Sequence, residues 1–137
     1  MKNKKKGQIS TEYLIIVAFV LFLVLSALGI ALFYSAEIKD SIRANQIESF
    51  ANKVISLSES VFYSGEPART TTTGYLPEGI DSIQILDNNI IFTYTTSNGQ
   101  SVRSFTSNVN LTGTLSPSPG TKKVYINATE NNVILSN

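Results

Sequence analysis

The chain has 137 residues, with 11 Lys+Arg against 10 Asp+Glu for a net charge of +1, and contains neither histidine nor cysteine. Without imidazole or thiol there are no Ser-His triads, no imidazole acid–base chemistry, no disulfides and no thiolate metal sites. The length has room for one membrane helix and one small outer domain.

Four of the eleven bases are Lys2, Lys4, Lys5 and Lys6, so seven bases face ten acids in the remainder, a net of −3. That remainder carries no basic footprint for nucleic acid. The leading lysines precede an uncharged apolar run from Tyr13 to Tyr34, in which Ser26 is the one clearly polar residue. About 20 apolar residues span a bilayer as a helix. An ordinary secretory signal has a shorter run, roughly 7–15 residues, with a small-residue cleavage site after it. Here Ser26-Ala27-Leu28-Gly29 lies inside the run instead. Positive flanks stay in the cytoplasm, so the N-terminus is expected inside and the bulk of the chain outside.

The helical pattern continues beyond Tyr34. Ile38, Ile42, Ile47, Phe50, Val54, Leu57 and Val61 recur every three to five residues, separated by charges such as Lys39, Asp40, Arg43, Glu48 and Lys53. This is an amphipathic stripe, approaching a heptad seam from Ile47 onward. Ser64-Gly65-Glu66-Pro67 supplies the stop, with glycine as the cap and proline beyond it. An unbroken helix from Gln8 to Tyr63 would be roughly 84 Å long at ~1.5 Å per residue.

After Pro67 the composition turns to Thr, Val, Ile, Tyr, Asn and Ser, with turn signals every eight to twelve residues. Strands are expected near 69–75, 82–86, 90–96, 101–106, 108–115 and 122–129, with a short last one near 132–135, arranged as an antiparallel meander. Asp87-Asn88-Asn89 and Ser97-Asn98-Gly99-Gln100 form the hairpin turns, and Ser116-Pro117-Ser118-Pro119-Gly120 is a loop. About 70 residues of sheet is marginal as an independent fold, so the helix stripe has to supply partner surface. The expected class is α+β: a long N-terminal helix, membrane-spanning in its first half and amphipathic in its second, packed on a C-terminal antiparallel β-sheet domain. Whether the sheet is a two-layer sandwich or a single curled layer stays open. The expected divisions are a basic leader at 1–7, the helix at 8–64 (apolar over 13–34, amphipathic over 35–63), and a β-rich outer domain at 65–137.

Glu12 is the informative charge, because anchoring does not require a carboxylate at the head of an apolar run. One reading places it at headgroup depth, favoured by the helix dipole in the first turn. The other pairs it with a cation, and cleavage between Gly7 and Gln8 would create one as a free amino group. In a low-dielectric core such a pair sets register, since leaving either charge alone is costly.

Gly7-Gln8-Ile9-Ser10-Thr11-Glu12-Tyr13-Leu14 resembles the processing and assembly motif of archaeal type IV pilins with class III signal peptides. The match covers Lys4 to about Tyr34, with Gln8, Ser10, Glu12 and Tyr13 on motif positions. The resemblance implies that a prepilin peptidase removes the leader, with its Lys4, Lys5 and Lys6, between Gly7 and Gln8. It implies that Glu12 serves recognition and subunit docking, and that the helix becomes the core of a filament. The partners it implies are the peptidase, the membrane, a pilus assembly platform and other pilin subunits. Archaellins share the processing logic, but their motif usually opens on glycines.

Asn110-Leu111-Thr112 and Asn127-Ala128-Thr129 are N-glycosylation sequons, usable if they face outward. Asp81, Asp87, Asn88 and Asn89 offer oxygen ligands for calcium, but are read as turn residues bonding locally. No nucleophile motif, paired carboxylates or phosphate-cradling loop appears, so no cofactor and no enzymatic activity are expected. Two functions compete: a filament subunit, or a single-pass anchored protein that presents an adhesive or ligand-binding sheet domain without polymerising. Only the first needs Gly7, Glu12 and proteolysis.

Overall fold

A computed structural model describes residues 4–137, with side chains from residue 10 onward. One helix, α1 (Lys4–Tyr63), is followed by seven strands: β1 (Arg69–Leu76), β2 (Ile80–Leu86), β3 (Asn89–Thr96), β4 (Gly99–Thr106), β5 (Leu111–Gly113), β6 (Gly120–Ala128) and β7 (Val133–Ser136). The class is α+β, as expected. The chain divides into two units, Met1–Ile38 and Lys39–Asn137, so the boundary falls within α1 and not at its end.

In the second unit the stripe read from sequence is the packing face. Ile47, Phe50, Ala51, Val54, Ile55 and Val61 are buried, whereas Ile38 and Ile42 are more than half exposed and do not join the core. The amphipathic face that packs therefore begins at Ile47. Ser58 is fully buried on this face, and its hydroxyl bonds the Val54 carbonyl at 2.8 Å, so no polar atom is stranded. The helix ends as the sequence signals. Gly65 takes φ 78° and donates to Phe62 at 3.0 Å, a left-handed C-terminal cap that a side chain would oppose.

The sheet domain departs from a simple meander. Only β2-β3-β4 follows that order, as a three-stranded antiparallel sheet, while the other four strands form a sheet ordered β1-β6-β7-β5. Within it β5 runs parallel to β7, with Leu111 opposite Val133 and Gly113 opposite Leu135. A parallel neighbour requires the chain to cross over first, which nearest-neighbour turn signals do not encode. The strand expected over 108–115 shrinks to three residues, because Asn108 spends its backbone N–H on Glu59 of α1 (2.8 Å) instead of on a ladder.

The inner faces of both sheets meet α1 in one apolar core. Phe50 reaches both: its ring lies edge-on to Phe92 of β3 at 6.3 Å, and it packs against Gly74 of β1, where a Cβ would come within 2.6 Å. Glycine at 74 is therefore a packing requirement. Phe92 in turn meets Phe105 edge-on at 5.8 Å. The two hairpin turns are tight, two residues each. Asp87 adopts φ 53°, a left-handed conformation that Asp tolerates better than most residues.

Gly113 and Gly29 predict opposite outcomes on substitution. Gly113 has φ 119°, and a Cβ there would overlap the backbone carbonyl of Leu135, which cannot swing aside. Gly113→Ala is expected to destabilise the sheet domain by about 2–3 kcal/mol. That would lower its thermal midpoint by roughly 10–20 °C for a domain of this size. Gly29 has open space around it, so Gly29→Ala should leave that midpoint unchanged. Melting of the full chain in detergent, followed by the β-sheet circular dichroism, separates the two.

Candidate functional site

The first unit carries the candidate assembly surface. Seventeen large apolar side chains between Tyr13 and Tyr34 are exposed, from 37% at Val17 to 73% at Leu32. The helix is long and apolar enough to cross a membrane. Burying a large apolar side chain contributes about 1.5–3 kcal/mol. Leaving so many in water would forfeit tens of kcal/mol, more than the ~5–15 kcal/mol that holds a domain folded. Isolated exposed hydrophobics need no explanation, but a contiguous band on every side of a helix marks a surface meant for lipid or protein. Ser26, the polar residue within it, donates its hydroxyl to the Phe22 carbonyl at 2.7 Å. Satisfied that way, it can enter hydrocarbon without an orphan donor.

Ser10, Glu12 and Tyr13 sit on α1 at the head of this band and are all exposed, Tyr13 at 70%. The side chains of Lys4, Lys5, Lys6, Gly7 and Gln8 lie outside the described residues. Both sequon asparagines face solvent: Asn110 just before β5, and Asn127 on the outward side of β6, where Ile126 and Ala128 point inward. The Thr129 hydroxyl of the second sequon is engaged by Asn132, donating to its carbonyl at 2.8 Å and its Oδ1 at 2.6 Å.

The acidic and amide residues weighed as calcium ligands serve the turns. The register between β2 and β3 shifts at Asp81, and this bulge leaves its carboxylate accepting from Thr95 Oγ1 at 3.1 Å and Gln100 Nε2 at 3.1 Å. Asn88 donates its side-chain amide to the Ser107 carbonyl at 3.1 Å. Among the described residues no cluster of three or more carboxylates is placed to hold a metal ion.

Two polar clamps, unforeseen from sequence, fix where the folded domain grips α1. At the near end Asp40 Oδ2 accepts from the Ser97 backbone N–H at 2.8 Å and its hydroxyl at 2.5 Å. Arg43 donates to Asp40 Oδ1 at 3.0 Å, to the Thr95 carbonyl at 2.8 Å and to the Glu78 carbonyl at 2.7 Å. At the far end Glu59 Oε1 accepts from Asn108 N at 2.8 Å and Asn108 Nδ2 at 3.0 Å. Asp40 and Arg43, three apart on the helix, form an ion pair at 3.0 Å. Their partners, 35 to 57 residues away, left no local trace.

No protein-family model, curated protein or solved structure matches the chain.

The near clamp has a pH signature. The Ser97 hydroxyl, then the Ser97 amide, hold the Asp40 carboxyl below its ordinary value of 3.8; burial pushes the other way and Arg43 adds smaller lowering contributions. A carboxyl depressed in the folded state stabilises above its unfolded pKa, and that contribution disappears as pH falls through the folded value. Amide signals of the β3–β4 turn should therefore hold their positions from neutrality down to about pH 4 and move below it. In Asp40→Asn that acid-side transition at Ser97 should be missing, which an NMR titration of the full chain in detergent will reveal.

Proposed function

We propose that this chain is a structural subunit of an archaeal type IV pilus-like filament, cut by a prepilin peptidase between Gly7 and Gln8 and assembled through its N-terminal helix. The observation that carries the reading is the apolar band exposed over Tyr13–Tyr34, with a carboxylate, Glu12, at its head. Anchoring alone does not require that charge. A polymerising helix does.

In the bilayer the band contacts lipid. Moving it into a bundle of like helices gains little from hydrophobicity alone, because lipid tails are as apolar as leucine. The driving interactions are then close packing and polar pairing. Cleavage before Gln8 frees an ammonium within a few residues of Glu12, and the two charges of adjacent subunits neutralise each other in the core. The cut also strips Lys4, Lys5 and Lys6 from the end that must enter the bundle. The sheet domains remain outside, where the exposed Asn110 and Asn127 can carry glycans.

N-terminal sequencing of sheared surface material is expected to begin at Gln8. Retention of the lysines in the mature protein would instead mean a single-pass anchored, non-polymerising adhesin. Glu12→Ala should insert into membranes normally yet fail to assemble. Removing one partner of a buried pair costs about 3–5 kcal/mol, a loss of roughly a hundredfold or more in subunit association. Electron microscopy of sheared material, alongside membrane fractionation, measures both halves of that expectation. Normal filaments with alanine at 12 would defeat the charge-pairing account.

A further inference from the structure

Beside β1 the second half of α1 leaves an open groove of about 600 Å³. Its floor is Ile42, Phe50, Gly74 and Tyr75, and Ile42 and Tyr75 are each about half exposed there (51% and 52%). Asn45, Gln46 and Ser49 line the helix side, and among the described residues their side chains make no hydrogen bond. Lys53 stands at one end, spending one of its three donors on the Thr73 carbonyl at 2.7 Å. The adjoining hollow adds Lys39 and Glu78, while its Arg43 is already paired with Asp40 at 3.0 Å, so Lys39 and Lys53 supply the positive charge at the rim. The groove is thus apolar in its floor, polar along its wall and basic at its rim.

The opposite character gathers at the other end of the domain. The β2–β3 turn projects Leu86, 54% exposed, followed by the exposed Asp87. The turn is held firmly: Asp87 O accepts from Leu111 N at 2.6 Å, and Asn88 O accepts from Ser107 N at 2.7 Å. Ser107 and Asn108 in turn bond Glu59, which sets this turn beside the last turns of α1. The acids Glu59 and Asp87 sit at that end, the first held by Asn108 and the second in the turn itself. A preorganised apolar knob with an acid beside it therefore sits about 20 Å along α1 from the groove, given the ~1.5 Å rise per residue between Gln46 and Glu59.

We propose that the Leu86–Asp87 turn of one copy seats in the Ile42–Tyr75 groove of the next, with Leu86 on the apolar floor and Asp87 against Lys53. The proposal rests on the filament reading and names its outer contact. Knob and groove are different surfaces of the same chain, so the contact is heterologous and propagates head to tail instead of closing as a dimer. Charge complementarity sets its direction and discourages the reverse docking, in which like charges would meet.

The chain has no cysteine of its own, so a disulfide between introduced pairs reports the contact directly. Ser49→Cys together with Leu86→Cys, in the full chain expressed in a filament-producing cell, should on mild oxidation give a ladder of covalent oligomers. A disulfide forms only when the two Cα atoms approach within about 7 Å. The control pair, Ser49→Cys with Gln100→Cys, should remain monomeric. Independently of cysteines, Asp87→Lys should reduce filament yield at least tenfold, and adding Lys53→Glu should restore it. Filaments that form with no ladder above the control, and with no rescue by the charge swap, would overturn the outer contact while leaving the helix-core assembly standing. If the unaltered chain, cut at Gln8 or not, makes no filaments at all, both readings fall together.

Discussion

Everything in this molecule follows from an apolar helical surface that the chain itself does not cover. The hydrophobic effect scales with area removed from water and has no preferred direction. A band exposed on all sides of a helix therefore demands an external environment without choosing between lipid and other helices. Under the proposed function, that neutrality would suit a subunit residing first in a bilayer and then in a fibre. The two states offer similar apolar surroundings, so the transfer between them is decided by a few polar groups and by shape. Ser26 satisfies itself within the helix and is indifferent to the change. Glu12 is not, because its comfort depends on whether a cation is near.

The second unit solves the opposite problem. Here the helix is covered, and its cover is precise in extent: burial begins at Ile47, while Ile38 and Ile42 stay exposed. The Asp40–Arg43–Ser97 and Glu59–Asn108 clamps bracket the packed stretch at its two ends. Between them, Phe50 touches both sheets, so the helix acts as the spine of a domain whose sheets would be marginal alone. The second half of α1 cannot lose the sheet domain without exposing the stripe from Ile47 to Val61.

Much of this was legible from local pattern. Period 3.6 over 47–61 identified the buried stripe, Gly65 its end, and alternation in Ile83-Gln84-Ile85 and Val124-Tyr125-Ile126 the inward faces of strands. Tight turns at 87–88 and 97–98 lay where Asn, Asp and Gly cluster. What could not be read depends on chain segments far apart in sequence. The parallel pairing of Leu111 with Val133 replaces a nearest-neighbour meander, and nothing within 108–115 distinguishes a long strand from one cut short by Glu59. Ile38 and Ile42 fit the helical period as well as Ile47 does, yet both stay more than half exposed, Ile42 at the open groove beside Tyr75. Periodicity reports which face could be covered; it does not report how far the cover extends.

On the proposed reading, assembly needs two kinds of information, which the chain would keep on different parts. Apolar packing supplies attraction but tolerates sliding, since one turn of a Leu-, Val- and Phe-rich helix resembles the next. Register must come from groups that are costly to misplace: an acid at one fixed height in the core, and charged or shape-matched features on the outer domain. A single buried pair fixes axial position yet leaves rotation about the helix axis weakly determined. A second contact, made laterally by the outer domain, would restrict that freedom. The acidic turn at Asp87 and the basic rim at Lys39 and Lys53 are spaced to do so. Long-range order in a fibre then arises from modest, repeated polar contacts set on a strong but undirected apolar attraction.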